Sequence, residues 1–321
     1  MKTSRLALVL PAMALCATAF GQPYPSKPVR YVVPFAPSGT GDVCARYHAQ
    51  KLQERFGQPV VVENRPGANQ AIGLEAGARA APDGYTIVQG ALSGLVLNTV
   101  FKAAAGDRLP YDAQKDFAPV TMVCTSPLYL AVNAKVPAKS IQELVAYARA
   151  NPGKVTYSSN GIGGTQHLAV ELLAARAGIK LVHVPYKDGA QSTSDMVAGV
   201  IDMLFGGALL IPQHKAGKVR ILAVGTPRRA PAIPEVPTMA EAALPGYDVS
   251  SWFALVVPAA VPRPVVDRLS RETEAIVRAT TGSASNDIEY QASTPEELGE
   301  RIRTELATWT KVIRDAGIKP E

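Results

Sequence analysis

The chain has 321 residues, 47% hydrophobic and 19% charged, an ordinary globular mixture. A single core stops growing at roughly 250–300 residues, so two domains are expected. The formal net charge of +6 is scattered, without a basic run or interleaved aromatics. That argues against nucleic-acid binding and leaves a mild field that attracts small anions.

Lys2 and Arg5 precede the apolar run LALVLPAMAL (6–15), and Ala17-Thr18-Ala19 fits a small-residue cleavage site. This is the pattern of a secretory signal peptide over residues 1–21. The run is too short to span a bilayer. Leu15 stands where a lipidated Cys16 would follow a small residue, which argues against a lipoprotein. Cleavage would remove two positive charges and leave +4. No other stretch is long and apolar enough to cross a membrane, so the mature chain is expected to be soluble in the periplasm. It keeps Cys44 and Cys124. Neither sits in a C-x-x-C pair, so a zinc or thioredoxin site has no support. An oxidising compartment permits a disulfide, but two separate buried thiols are expected, because free cysteine is commonly buried.

From there, strand and helix patterns alternate. VRYVVPF (29–35) reads as a strand, and a helical pattern follows from Asp42 to Phe56, stopping at Gly57. PVVVEN (59–64), a helix over 72–80 and YTIVQG (85–90) come next. Strands separated by helices in this way predict βαβ units and a parallel sheet. The extended run 118–132 is broken by Pro127. SIQELVAYARANPG predicts a helix with a capping box, Ser140 at its N-cap and Glu143 three residues on. KVTYSSNG is a strand running into a loop, and TQHLAVELLAARAG is a helix ending at Gly178. LVHVPY, DMLFGG and RILAVG give three more strands, with a helix over 191–198 after the first. SSWFALVVP (250–258) is a strand, and 264–279 and 295–316 are helices without a sheet of their own. The expected fold is therefore α/β with two lobes. The first is discontinuous, over 22–125 and 239–321, the second spans 126–238, and a cleft between them closes by hinge motion.

Two loops carry the candidate chemistry. FAPSGTGD (35–42) leaves a strand and opens a helix, a context that binds anions. It lacks the G-x-x-x-x-G-K-[ST] and G-x-G-x-x-G patterns of nucleotide loops. Asp42 reads as the N-cap of its helix. TYSSNGIGGTQHL (156–168) repeats the design in the second lobe. Ligands of open α/β sheets lie outside the carboxyl ends of strands. Two facing backbone cradles suit a carboxylate. The four histidines show no H-x-x-x-H or H-E-x-x-H spacing, so no metal is expected. His167 reads as a helix-start residue hydrogen-bonded locally, and His183 as a strand residue at a lobe face. A serine hydrolase using Ser158 or Ser159 with His167 is the enzymatic alternative, but no orienting acid or G-x-S-x-G elbow is present.

The order YPSKPVRYVVPFAPSGTGDVCAR, GQPVVVENRPGAN, APDGYT, HVPYKDGAQS, GKVRILAV, PEVPTMAEA and WFALVVPA resembles the Bug-type solute receptors of tripartite tricarboxylate transporters. The resemblance runs from Tyr24 almost to the C-terminus. It implies a periplasmic binding protein fold and a small organic carboxylate held between two loops, largely by backbone groups. By position, the first loop supplies Phe35, Ala36, Pro37, Ser38, Gly39, Thr40 and Asp42. The second supplies Ser158, Ser159, Asn160, Gly161, Gly164, Thr165 and His167. Asn69, Gln70, Ser93 and Asp188 lie at further cleft positions. N–H groups of Ser38, Gly39 and Thr40, and of Ser159, Gly161 and Thr165, would meet the ligand.

The chain departs from the family in three places: Ser38 replaces a loop glycine, Asp188 enters the turn after VPYK, and 280–293 is shortened as if a helix were lost. The expected role is a monomeric receptor that delivers its ligand to membrane transporter subunits, with no cofactor and no chemical step. A sensor feeding a signalling partner is the alternative.

Overall fold

The computed structural model describes residues 24–186, 189–280, 287–315 and 317–318. The expected signal peptide (1–21), Asp188 and residues 281–286 of the segment expected to be shortened lie outside these residues.

Strands β1 (Val29–Val33), β2 (Val60–Asn64) and β3 (Thr86–Ala91) are parallel, joined by helices α1 (Thr40–Phe56) and α2 (Ala71–Ala78). A π-helical turn, Leu92–Leu97, leaves β3 and runs into α3 (Asn98–Ala104). Then β4 (Phe117–Ser126) ends at Pro127, and the chain crosses to β5 (Tyr129–Asn133) of a second sheet. That sheet continues through α4 (Ile141–Ala150), β6 (Thr156–Ser159), α5 (Thr165–Ala177), β7 (Val182–Pro185) and α6 (Gly189–Ala198). It ends with β8 (Met203–Gly206), α7 (Leu210–Lys215) and β9 (Val219–Val224). After α8 (Met239–Ala242) the chain returns to the first sheet as β10 (Ser251–Pro258), α9 (Arg263–Ala279), β11 (Glu289–Tyr290) and α10 (Pro295–Asp315).

The sheet orders are β11-β4-β10-β3-β1-β2 and β7-β6-β8-β5-β9. In each sheet a strand runs antiparallel to both neighbours: β10 in the first, beside the likewise antiparallel β4, and β5 in the second. β10 and β5 are each the strand the chain enters after crossing from the other sheet. The two lobes thus share one plan, and the carboxyl ends of their parallel strands carry the two Gly-rich loops.

Local chemistry explains the boundaries. Gly57 and Gly178 end α1 and α5 in the left-handed conformation that glycine takes without a Cβ clash. Ser140 caps α4, its hydroxyl accepting from Glu143 N. The Glu143 carboxylate accepts from Lys139 N rather than from the cap's own N–H, so the expected capping box is half made. A full box opens α10, where Thr294 and Glu297 exchange both bonds. Period-two alternation sorts β1: Tyr31 and Val33 pack under α1 and α9, and Val32 packs on the opposite face.

On the face under α1, the two cysteines are bonded to each other. This corrects the expectation of separate thiols. Cys44 lies on the buried face of α1 and Cys124 on the strand surface beneath it, with Cα atoms 6.6 Å apart, inside the range a bridge requires. Their sequence separation of 80 gave no hint of this. The described flanks of the shortened segment are well anchored: β11 pairs with β4, and the Tyr47 and Tyr290 rings lie 4.4 Å apart.

Candidate ligand-binding cleft

The first loop leaves β1 at Pro34 and enters α1 with Gly39, not Asp42, at the N-cap. Asp42 stands one turn inside, because its carboxylate has work behind the loop. It accepts from Ser38 N (2.9 Å), Arg46 Nε (2.8 Å) and Asn64 Nδ2 (2.7 Å). Asn64 also donates to Phe35 O and accepts from Arg46. Burial alone would raise the Asp42 carboxyl; the hydrogen bonds from Arg46, Asn64 and Ser38 outweigh it and hold the group below the usual carboxylate range. Ser38 itself sits at φ 68°, the left-handed region that the replaced glycine would occupy without strain.

The Ser38 N–H, expected to face a ligand, is therefore taken by Asp42. The N–H groups of Gly39, Thr40 and Gly41, at the head of a 17-residue helix, have no such partner among the described residues. A Cβ on Gly39 would meet only Ala36 O, at 3.5 Å, whereas one on Gly41 would strike the Phe35 ring at 2.6 Å. Gly41 is there for packing; Gly39 leaves its N–H open.

The second loop is held differently. Its N–H groups are mostly turned inward: Asn160 N donates to Gln166 Oε1 (2.8 Å), Gly161 N to Ser159 Oγ (3.2 Å), Gly163 N to His167 Nδ1 (3.1 Å) and Gly164 N to Gly161 O (3.3 Å). Gly161 at φ 128° and Gly163 at φ 76° make this winding possible. The expectation that Gly161 N points at a ligand is overturned. Among the described residues, the N–H groups of Ile162 in the loop and of Thr165 and Gln166 in the first turn of α5 have no partner.

His167 hydrogen-bonds locally, as its position at a helix start implies. It stacks within a buried group of rings: His183 at 4.3 Å, Phe101 at 5.8 Å edge-on and Tyr157 at 6.3 Å. Burial, and then the neighbouring His183, push the His167 pKa down to about 3. Ser159 Oγ lies 2.7 Å from His183 Nε2, and Ser158 Oγ 2.6 Å from Ser192 Oγ. Neither serine is bonded to His167, and both are buried, so the Ser–His167 pair of the hydrolase alternative does not form.

The lobes meet at these loops. Thr40 Oγ1 lies 3.6 Å from where a Cβ on Gly207, beyond β8, would stand. Asn69 Oδ1 lies 3.5 Å from the same point on Gly164, and the Phe101 ring 2.8 Å from that on Gly163. Asn69 belongs to a turn in which Ala68, Asn69 and Gln70 all have positive φ, at 46°, 47° and 75°. Three consecutive left-handed residues are strained, and such strain persists where the surroundings over-determine it. Asn98 does this, donating to Ala68 O and Asn69 O. Gln70 Nε2 bonds Ser93 Oγ, which brings both residues to the turn as expected. Asn69 Nδ2 and Gln70 Oε1 are buried with no partner among the described residues. Sequence reasoning missed Asn64, Asn98, Phe101 and Gly207. None has a local signature, since each acts on a loop distant in the chain.

Two lobes of one plan, each presenting a helix N-terminus and a wound loop to the shared seam, define a two-lobed periplasmic binding protein. A profile described as Tripartite tricarboxylate transporter family receptor (TctC) matches residues 44–318. The chain belongs to that family of solute-binding receptors. It is 32% identical over 321 residues to the protein BugT of Bordetella pertussis, covering 98% of this chain and 97% of that one. The solved structure of R. palustris Rpa4515 with adipate superposes with a TM-score of 0.84 at 32% identity, covering 93% of this chain and all of the other. MatC (Rpa3494) of Rhodopseudomonas palustris, with bound malate, gives 0.78 at 27% identity over 90% of this chain and 100% of its own.

Proposed function

We propose that the chain captures a small organic carboxylate in the cleft between its lobes and delivers it to the membrane subunits of a tripartite tricarboxylate-type transporter. One observation carries this reading. Two helix N-termini with unpartnered N–H groups, one from each sheet, meet at a seam where Thr40 approaches Gly207 and Asn69 approaches Gly164. Gly39 and Thr40 would donate to one end of the carboxylate and Ile162 and Thr165 to the other, with Asn69 Nδ2 between. Closure excludes water and strengthens each bond. The adipate and malate held by the two Rhodopseudomonas proteins support the ligand class.

The receptor acts as a monomer in the periplasm. Its second lobe begins at 126, and two hydrogen bonds support extending it beyond 238 to 247 before the chain returns to the first. Tyr247 OH donates to Ala169 O and Gln142 to Ala242 O, which keeps 239–247 on the second lobe.

A thermal-shift screen against mono-, di- and tricarboxylates, followed by calorimetry, tests the reading. A ligand at ~100 times its Kd adds ~2.7 kcal/mol of stability. Gly39→Val adds a branched side chain at the head of α1, and its Cβ would meet only Ala36 O, at 3.5 Å. It is expected to remove measurable binding, a loss of at least about 3 kcal/mol, with the melting temperature of the unliganded protein nearly unchanged. Retained affinity in a folded Gly39→Val protein refutes the backbone cradle.

A further inference from the structure

We propose that neutral His167 is the positioning residue of the second cradle: its Nδ1 lone pair holds the Gly163 N–H, and protonating that nitrogen releases the loop, so the cleft gives up its ligand on acidification. The ligand half of this statement rests on the carboxylate reading above; the loop half does not.

The geometry starts from a donor. Gly163 N can only donate, so Nδ1 of His167, 3.1 Å away, must be the unprotonated nitrogen. An imidazolium carries a proton on both nitrogens and would point N–H at N–H. Around the ring there is no room to turn away. Phe101 of α3 stands edge-on to it and also packs on Gly163, Tyr157 of β6 lies parallel to it, and His183 of β7 lies 4.3 Å off.

Among the described residues, the titratable groups on these elements do not offer a counter-charge. On β6, Tyr157 OH donates to Glu171 Oε1 at 2.5 Å, so the carboxylate one turn along α5 from His167 is already engaged. On β7, His183 faces Ser159, which can accept from a protonated Nε2 or donate to a neutral one. His183 also contributes, after burial, to holding the His167 pKa down. Beyond β7, Asp195 accepts from Tyr186 and Gln191. On α3, Lys102 pairs with Asp107.

The first cradle has no such dependence. Its brace is a carboxylate that stays ionised far below neutrality. The direction of the effect follows from linkage. With the loop wound, burial keeps His167 neutral down to about pH 3; a released loop that admits water to the ring lets its pKa move back towards the ordinary 6.5. Falling pH between those values favours the released loop, by up to about tenfold per pH unit for one proton.

The test uses the full mature protein and adipate as the probe. Adipate affinity is measured from pH 7.5 to 4.5 for the wild type and for His167→Gln, whose side-chain oxygen can accept from Gly163 N but does not titrate. Protonation of adipate itself affects both proteins equally, so the ratio of their dissociation constants is the readout. His167→Gln is expected to bind several-fold more weakly at pH 7.5 and to overtake the wild type below pH 5.5. A ratio independent of pH overturns the proposal.

If adipate binds neither protein, the carboxylate reading is in question while the loop remains testable. The amide resonance of Gly163 in the unliganded wild type is expected to shift with one midpoint between pH 3 and 6.5, and those of Gly39 and Thr40 to stay still above pH 4.5. A Gly163 amide that does not respond overturns the positioning role.

Discussion

The two cradles have the same place in their lobes and opposite internal economies. The first leaves its backbone donors open and braces itself from behind with a charged triad, Asp42, Arg46 and Asn64. The second satisfies most of its donors within itself and is braced by neutral imidazole and hydroxyl groups. An exposed, open loop needs a strong anchor, because water competes for each of its N–H groups. A wound loop needs shape instead, and glycines with positive φ supply it. One binding task is thus met by electrostatics on one side and by winding on the other.

Removing the anchor is the sharpest way to break this comparison. Asp42→Ala leaves the Ser38 N–H, the Asn64 amide and the Arg46 guanidinium without their shared acceptor. It is expected to cost roughly 2–3 kcal/mol in urea unfolding, the half-exposed Arg46 limiting the loss. A loss below about 0.5 kcal/mol would mean that the triad does not brace the loop.

Acid acts on both lobes through a buried histidine and, at lower pH, on the first lobe again through Asp42. Burial pushes the pKa of His48, in the first lobe, and of His167, in the second, down to about 3. The unfolded chain takes up these protons near pH 6.5 and the native chain does not. Stability is therefore complete above pH 6.5 and falls below it, by up to about 1.4 kcal/mol per pH unit for each group. The Asp42 contribution has the same sign but a lower window: it is present above pH ~3.9 and is lost only as pH falls further, through its depressed native value. Denaturation curves at pH 7, 5.5 and 4.5 are expected to show the loss, and His48→Gln to reduce its slope by about half. An unchanged slope would remove His48 from the account.

The smallest effect lies in the turn itself. Ser38→Gly relieves a left-handed serine at some cost in unfolded-state entropy, with an expected gain of about 0.5–1 kcal/mol in Tm-derived stability. A loss instead would show that the Ser38 hydroxyl matters more than its backbone strain.

The order of strands and helices was legible because period-two and period-3.6 patterns were clean and the stops were glycines. Gly57 and Gly178 fell where the helices end. The elements that escaped are short or irregular: the π-helical turn after β3, the six-residue α7 with Pro212 inside it, and the four-residue α8. At the cleft, sequence located both loops but misjudged their donors. It placed Asp42 at the N-cap and aimed the N–H groups of Ser38 and Gly161 outward. Those errors share one cause. A local pattern shows which residues occupy a loop, while the partners that claim its N–H groups come from elsewhere. Asn64 arrives from the neighbouring strand, and the ring of His167 folds back from the following helix. The Cys44–Cys124 bond was hidden for the same reason.

That bond has a consequence for how the molecule comes to exist. It closes a loop of about 80 residues within the N-terminal part of the first lobe, a constraint worth roughly 4–5 kcal/mol on chain-entropy grounds, while residues 126–238 contain no cysteine at all. The first lobe therefore carries a maturation requirement that the second lacks. In a reducing compartment its α1 and β4 are held only by packing, and the chain stays closer to the unfolded state suited to export. Oxidation locks α1 onto β4 in the half of the molecule that carries the first loop, whereas the second half is held by packing alone.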